Sequence, residues 1–410
     1  MKILLAFEFR KLLNRRLLWI MLALCAAVQL LSGYGAIRHA LGGAVGGMKE
    51  VYARYDGQVI TEDLKVRLLS DYREYAAAHP EEFKPSEAEL GYWALDEQIW
   101  RRRHGSGVML AYQDLLYSQT REEIETAWHN ASAGLTAGTD ADGKPLSPSM
   151  RRWYMQLTAQ PPYIPTVRYD LGWTLSFGLQ NLLDTAMMNI GATMIGYTPI
   201  GILLTLLLLF LGLPGFPGER GARMEPVLLT GGLRKTAAYA KILAVTTAAA
   251  VAALALCLFK LLQCAATLGL GGWAMPSGSY GLGASHLVSW VINTVAFMLG
   301  CAAGAALITA FTAKARDAIS ALGLAIIVLA AQFALVKLGE LTHIYGPQDG
   351  WMATLADLTQ ALPLNAVTVQ GAAFGDPTIF QTTMLFALPL VLLTISLLFT
   401  PKVYLRRRKS

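Results

Sequence analysis

No aspartate or glutamate occurs in any of the six long hydrophobic runs of this chain. That absence argues against a proton-coupled carrier, which needs an intramembrane carboxylate or histidine relay, and against a hydrophilic ion path. Cysteine is scarce. Cys25, Cys257, Cys264 and Cys301 all fall in apolar runs, so the polar segments have no disulfide framework. Catalytic and metal-binding strings are missing too: there is no HExxH, no GxSxG and no paired CxxC, and the six histidines are scattered singly. The nearest string to a phosphate-binding loop, GGLRKT at 231–236, has Arg before the Lys and lacks the upstream glycine. The chain is therefore expected to hold no catalytic residue, metal or cofactor of its own. Lysine and arginine are absent from two loops, 271–285 and 339–378.

The apolar runs themselves lie at 17–37, 189–213, 241–270, 286–313, 318–338 and 379–400. Each has the ~20 residues that an α-helix needs to cross a bilayer at ~1.5 Å per residue. Hydrophobic residues make up 54% of the chain and charged ones 15%, with a mean hydropathy of +0.42, beyond the usual range of a soluble domain. Placing the N-terminus inside the cell collects Lys2, Arg10, Lys11, Arg15 and Arg16 on that side. Arg220, Arg223, Arg234, Lys235, Lys241, Lys314 and Arg316 join them, as do Lys402, Arg406, Arg407, Arg408 and Lys409. These are half of the 34 basic residues. The basic-inside bias thus predicts both termini in the cytoplasm of a multi-pass plasma-membrane protein. It also accounts for the +6 net charge without nucleic acid. Lys260 and Lys337 fall within runs, near their predicted outer ends, where a lysine can snorkel.

The expected fold is all-α. Residues 1–16 read as a basic amphipathic helix in the membrane interface, and 17–37 as the first span. An insertion at 38–188 reads as a mainly helical extracellular domain that opens on a flexible GGAVGG at 42–47. Helices are predicted at 49–78, 86–102, 108–118, 120–130 and 147–159, with a capping box at Ser86 and Glu89 and a loop over 133–148. Its aromatics, among them Tyr92, Trp93, Trp100, Tyr112, Tyr117, Trp128, Trp153 and Tyr154, read as a core before they read as a ligand surface. The second span covers 189–213, a cytoplasmic loop 214–240, and spans three to six 241–400. Two short outer helices near 351–373 break at Pro363, and a basic tail follows at 401–410.

The loop reads GFPGERGARMEPVLLTGGLRKTAAYAK over 215–241. An apolar Val227-Leu228-Leu229 between charged flanks, held by a glycine turn, suits docking into a groove on a soluble partner. It equally suits a solvated connector whose leucines rest on the membrane. Glu219-Arg220, Glu225, Leu228-Leu229, Arg234 and Lys241 together resemble the acidic-basic loop between the second and third spans of type-two ABC exporter permeases. EFRK at 8–11 is similar to that family's interfacial elbow, and the broken segment before span six to its re-entrant outer helices. The order of spans and loops agrees over about 260 residues, whereas the insertion is not explained by it.

The resemblance implies a permease subunit that moves an amphipathic or hydrophobic cargo (peptide, lipid or drug) outward. ATP and Mg would be held by separate ATPase subunits, and a second permease, identical or related, would complete the path through the membrane lipid. It assigns ATPase coupling to Glu219, Arg220, Glu225, Leu228, Leu229 and Arg234, with Glu8, Arg10 and Lys11 from the elbow. The rival expectation is a non-transporting sensor or scaffold whose external domain binds a partner or peptide. Six spans exceed what an anchor requires.

Overall fold

The computed structural model describes residues 2–40, 45–80, 107–140, 142–158, 161–162, 164–167, 199–213, 216, 234–268, 286–345, 351–363 and 379–406. The protein is an all-α membrane protein, with no β-strand among the described residues. In chain order the helices are α1 (Lys2–Leu13), α2 (Arg16–Ala40), α3 (Val45–Tyr55), α4 (Glu62–Ala78), α5 (Gly107–Tyr117) and α6 (Arg121–Ala137). They continue with α7 (Pro148–Thr158), α8 (Pro199–Gly212), α9 (Arg234–Leu268), α10 (His286–Thr312), α11 (Ala318–Tyr345), α12 (Trp351–Gln360) and α13 (Ile379–Arg406).

Four of these, α9, α10, α11 and α13, are long and apolar enough to cross a membrane, and α1 with α2 makes a fifth if the bent pair is one span. The described part of the predicted second span is the 14-residue α8, about 21 Å long and shorter than a hydrocarbon core. Residues 189–198 lie outside the described set. So do 86–102 with the Ser86 capping box, and 364–378 with the second of the two outer helices.

Two compact units emerge, one from Met1–Leu30, Leu183–Leu261 and Trp290–Ser410, the other from Leu31–Leu182 and Leu262–Ser289. In the first, α10 is the buried centre: 61% of its apolar stretch is enclosed, against 22% for α11 and for α13. Ala296, Ala303, Ala305 and Ala306 on α10 are fully buried. Lipid tails are as apolar as leucine, so burying apolar area drives little association here; close packing of small residues does. Leu204, Leu207, Leu208 and Leu211 of α8 cluster with Cys301, Ala305 and Ile308 of α10. At Gly212 a Cβ would stand 2.8 Å from Ile308 Cγ2, so only glycine permits this crossing. α12 packs on α11 and α13.

In the second unit α3 packs on α5, α4 on α5, and α6 on α7. Tyr112 is the core aromatic, met edge-on by Tyr55 and Tyr72 and at a tilt by Tyr75. Its hydroxyl accepts from Arg54 Nη1 at 3.1 Å, and the Tyr55 hydroxyl donates to Asp71. Burial together with the Asp71 contact pushes the Tyr55 phenol well above its ordinary range. Tyr117 by contrast is exposed.

Several expectations are corrected. The predicted 49–78 helix is two helices, because Gly57 adopts a left-handed φ of 76° after α3 and Thr61 caps α4 through Leu64 N–H. The intervening residues pair with another segment: Ile60 N–H donates to Pro165 O and Val167 N–H to Gln58 O, both at 2.7 Å. The glycine-rich start is not a flexible tether throughout, since 45–47 open α3 and Gly47 presses on Val108. α6 runs to Ala137, into the predicted 133–148 loop, and stops where Gly138 takes a φ of 74°. The capping box found among the described residues is Thr120 with Glu123. It holds the Glu123 carboxyl below its ordinary range, chiefly through the Thr120 N–H. Lys260 does not snorkel: it is 4% exposed, on the same face of α9 as buried Leu256. Finally, α9 begins at Arg234 and not at Lys241, so the last residues of the predicted loop are helical.

Gly212→Ala is expected to lower the thermal unfolding midpoint of the detergent-purified chain, an overpacking penalty of about 1–3 kcal/mol. Adding Ile308→Ala should return part of that loss, as followed by a dye-based melting curve.

Candidate functional site: a buried ion pair at the base of the bundle

The first 49 residues contain one acid, Glu8, among basic neighbours. α1 turns Leu5, Glu8, Phe9 and Leu12 toward the bundle, where Leu12 is buried and Leu5 and Phe9 pack against the apolar core. Helical spacing puts 5, 8, 9 and 12 on one face, so Glu8 enters the protein with its apolar neighbours. The turn at 14–15 then bends the chain by 64° into α2. Trp19 Nε1 fastens that bend by donating to Leu13 O at 2.7 Å.

Glu8 meets Lys241. The Nζ–Oε1 separation is 3.2 Å, and the side chains are 2% (Lys241) and 13% (Glu8) exposed. Lys241 stands seven residues into α9, two turns after its start. Its ammonium also lies 5.8 Å from the centre of the Phe216 ring. Phe216 in turn packs on Tyr404 of α13, ring centres 4.7 Å apart at 45°. Ala238 of α9 and Ala313, just after α10, complete the small apolar cluster around them. Lys241 of α9 thus meets α1 through Glu8 and the segment after α8 through Phe216, which in turn meets the end of α13.

Placing two charges where water is excluded is costly, and their attraction offsets that only while both are present. The aromatic ring adds a cation–π contact. Arg15 lies close by: burial lowers its pKa and the Glu8 carboxylate opposes that. Its guanidinium reaches Phe210 O at 3.5 Å, at the limit of a hydrogen bond. Nothing in this cluster is a nucleophile or acid–base pair set around a cavity. Its chemistry is mechanical: it fixes α1 to α9 and α13.

Of the residues singled out for coupling, Glu8 is in this cluster. Arg10 is exposed in the last turn of α1, Lys11 is half-buried, and Arg234 is the first residue of α9. Glu219, Arg220, Glu225, Leu228 and Leu229 lie outside the described residues. Sequence reasoning assigned no coupling role to Lys241, Phe216 or Tyr404. Lys241 carried a usable signal as the isolated cation entering a run of alanines. Nothing near Tyr404 marks it.

At the same end, the connection between α10 and α11 is capped by Asp317. Ser320 N–H donates to its carboxylate at 2.8 Å. That hydrogen bond, with lesser ones, lowers the Asp317 pKa below its ordinary 3.8. Among the described residues no group of His, Cys, Asp and Glu is placed to hold a metal ion. Comparison of the chain with protein-family models, with curated proteins and with solved structures returned no match.

Two measurements follow from this geometry. Glu8→Leu or Lys241→Met alone should destabilise the chain by about 3–5 kcal/mol, by stranding the remaining charge. The double variant should recover most of the loss, and a thermal double-mutant cycle reads the coupling. The Asp317 cap has a depressed pKa, so its contribution is complete well above pH 3.8 and fades as pH falls through the folded value. Asp317→Asn should flatten the acid-side slope in a pH series of unfolding midpoints, leaving the share that Glu123 contributes.

Proposed function

We propose that the chain is the membrane-spanning permease subunit of an ATP-driven exporter, gripped at its cytoplasmic face by a separate ATPase of the ABC type. The observation that supports this reading most is the Glu8–Lys241 pair. It ties the amphipathic first helix to the helix that directly follows the charged 214–233 stretch. A loop pushed by a soluble partner would then move α1 and α9 together instead of deforming one of them.

Three features agree. No phosphate-binding loop occurs in these 410 residues, which fits an energy source held on a separate ATPase. The apolar runs contain no carboxylate, which fits a largely apolar route for an amphipathic peptide, lipid or drug. The Glu219–Lys241 pattern resembles the coupling loop of type-two exporter permeases. In this reading Glu219, Arg220, Glu225, Leu228, Leu229 and Arg234 carry the coupling to the ATPase, and Glu8, Arg10 and Lys11 belong to the α1 elbow that moves with them. ATP and Mg sit in that partner, and a second permease subunit encloses the path. The alternative, a sensor or scaffold, draws on the second compact unit, which has its own aromatic core.

Reconstitution with a candidate ATPase tests this. Charge reversal at Glu219 and Glu225, with Leu228→Asp and Leu229→Asp, is expected to abolish co-purification. Lys241→Met should instead leave the ATPase bound and lower cargo-stimulated hydrolysis roughly tenfold, about 1.4 kcal/mol in activation barrier. An ATPase still bound and stimulated by the loop variant would exclude the coupling role.

A further inference from the structure

We propose that the side of α1 turned away from the bundle is a docking surface selective for anionic phospholipid headgroups. Glu8 is the only acid in residues 1–49, and it is turned inward to Lys241. The outward side is therefore left with one sign of charge. Lys2 and Arg10 are exposed on α1, and Arg16 is exposed at the start of α2. Lys11 and Arg15 are not counted, since both have contacts within the protein.

Apolar side chains are interleaved with these cations. Ile3 is 86% exposed, Phe7 62% and Leu13 51%. A surface that alternates bare apolar groups with cations on long stems suits the boundary between acyl chains and headgroups, where stems lie down and charged ends reach up. The bend places it there. With α2 along the membrane normal, the 64° angle leaves α1 about 26° from the membrane plane. Trp19, fastened to Leu13 O and half exposed, stands at the same level, as an interfacial tryptophan does.

Zwitterionic headgroups would satisfy the apolar side chains and the tryptophan. The three exposed cations are what favour an anionic leaflet. The ion pair is thus linked to lipid selection, because an outward-facing Glu8 would cancel one of the three. This inference needs only that the protein is embedded in a membrane. It does not depend on export, on an ATPase or on cargo.

The full-length chain is reconstituted in phosphatidylcholine bilayers containing traces of spin-labelled phosphatidylglycerol or spin-labelled phosphatidylcholine. The motionally restricted fraction of each is read by electron paramagnetic resonance. At 50 mM NaCl phosphatidylglycerol is expected to be favoured several-fold. The preference should vanish at 0.5 M NaCl, where screening shortens to about 4 Å. It should also fall to parity in K2Q/R10Q/R16Q. A control variant altering exposed cations elsewhere at this end, K235Q/K314Q/R316Q/K402Q, should keep it. Equal restriction of the two lipids by the native chain would overturn the proposal and return these cations to a protein partner. A preference that survives K2Q/R10Q/R16Q, or is lost in the control variant, would overturn it as well. If the triple variant does not fold, R10Q alone should still lower the preference measurably, and no change there would also overturn it.

Discussion

An ammonium and a carboxylate held 3.2 Å apart inside a membrane protein set the terms for everything around them. Neither charge can leave without stranding the other, so α1 and α9 are committed to a single relative position. A well-packed apolar pair of similar volume would give comparable stability. What the ionic pair adds is direction. α1 has one residue that fits opposite Lys241, so a slide along the helix or a roll about its axis exposes the mismatch at once. Phe216 and Tyr404 extend the constraint to the last helix, and the small cluster of Ala238 and Ala313 leaves room for both rings.

The rest of the bundle is built on a different principle. Between apolar helices in lipid, affinity comes from how closely backbones approach. Gly304 and Ala305 of α10 and the glycine at 212 supply that approach where α10 meets the leucines of α8. Outside this centre, α11 and α13 show most of their apolar surface to their surroundings. The protein thus combines a tightly packed middle, an ionic fastening at one end and broad outward faces.

How much of this was legible from residues alone depends on the kind of signal. Long apolar runs state their own length, so α9, α10, α11 and α13 stand out, and EFRK among leucines marks a helix before the bend. Boundaries were less readable. Arg234 and Lys235 look like loop residues, yet alanines follow at once and the helix includes them. Asp56-Gly57 and Thr61 were stop and start signals inside what read as one long helix, outweighed by its periodicity. Thr120 with Glu123 matched a capping box as well as Ser86 with Glu89 did. Lys260 was judged by distance along a helix, which says how far a side chain is from the surface and nothing of which neighbours enclose it. The partnership of Glu8 with Lys241 joins positions 233 residues apart, and no local pattern encodes such a pairing. That Glu8 is the one acid of the first 49 residues, at the same end of the bundle as Lys241, is its trace in the sequence.

The early start of α9 has a mechanical consequence. Seven residues precede Lys241 in that helix, about 10 Å of rod, and twenty follow it to Leu261, about 30 Å more. A stiff rod with one ionic fastening along its length can act as a lever when the apolar packing around it slides, and here the fulcrum sits near the short arm. A tilt that shifts Arg234 by a given distance carries Leu261 roughly three times as far in the opposite sense. Small displacements at the charged end of α9 would thereby be magnified toward its far end.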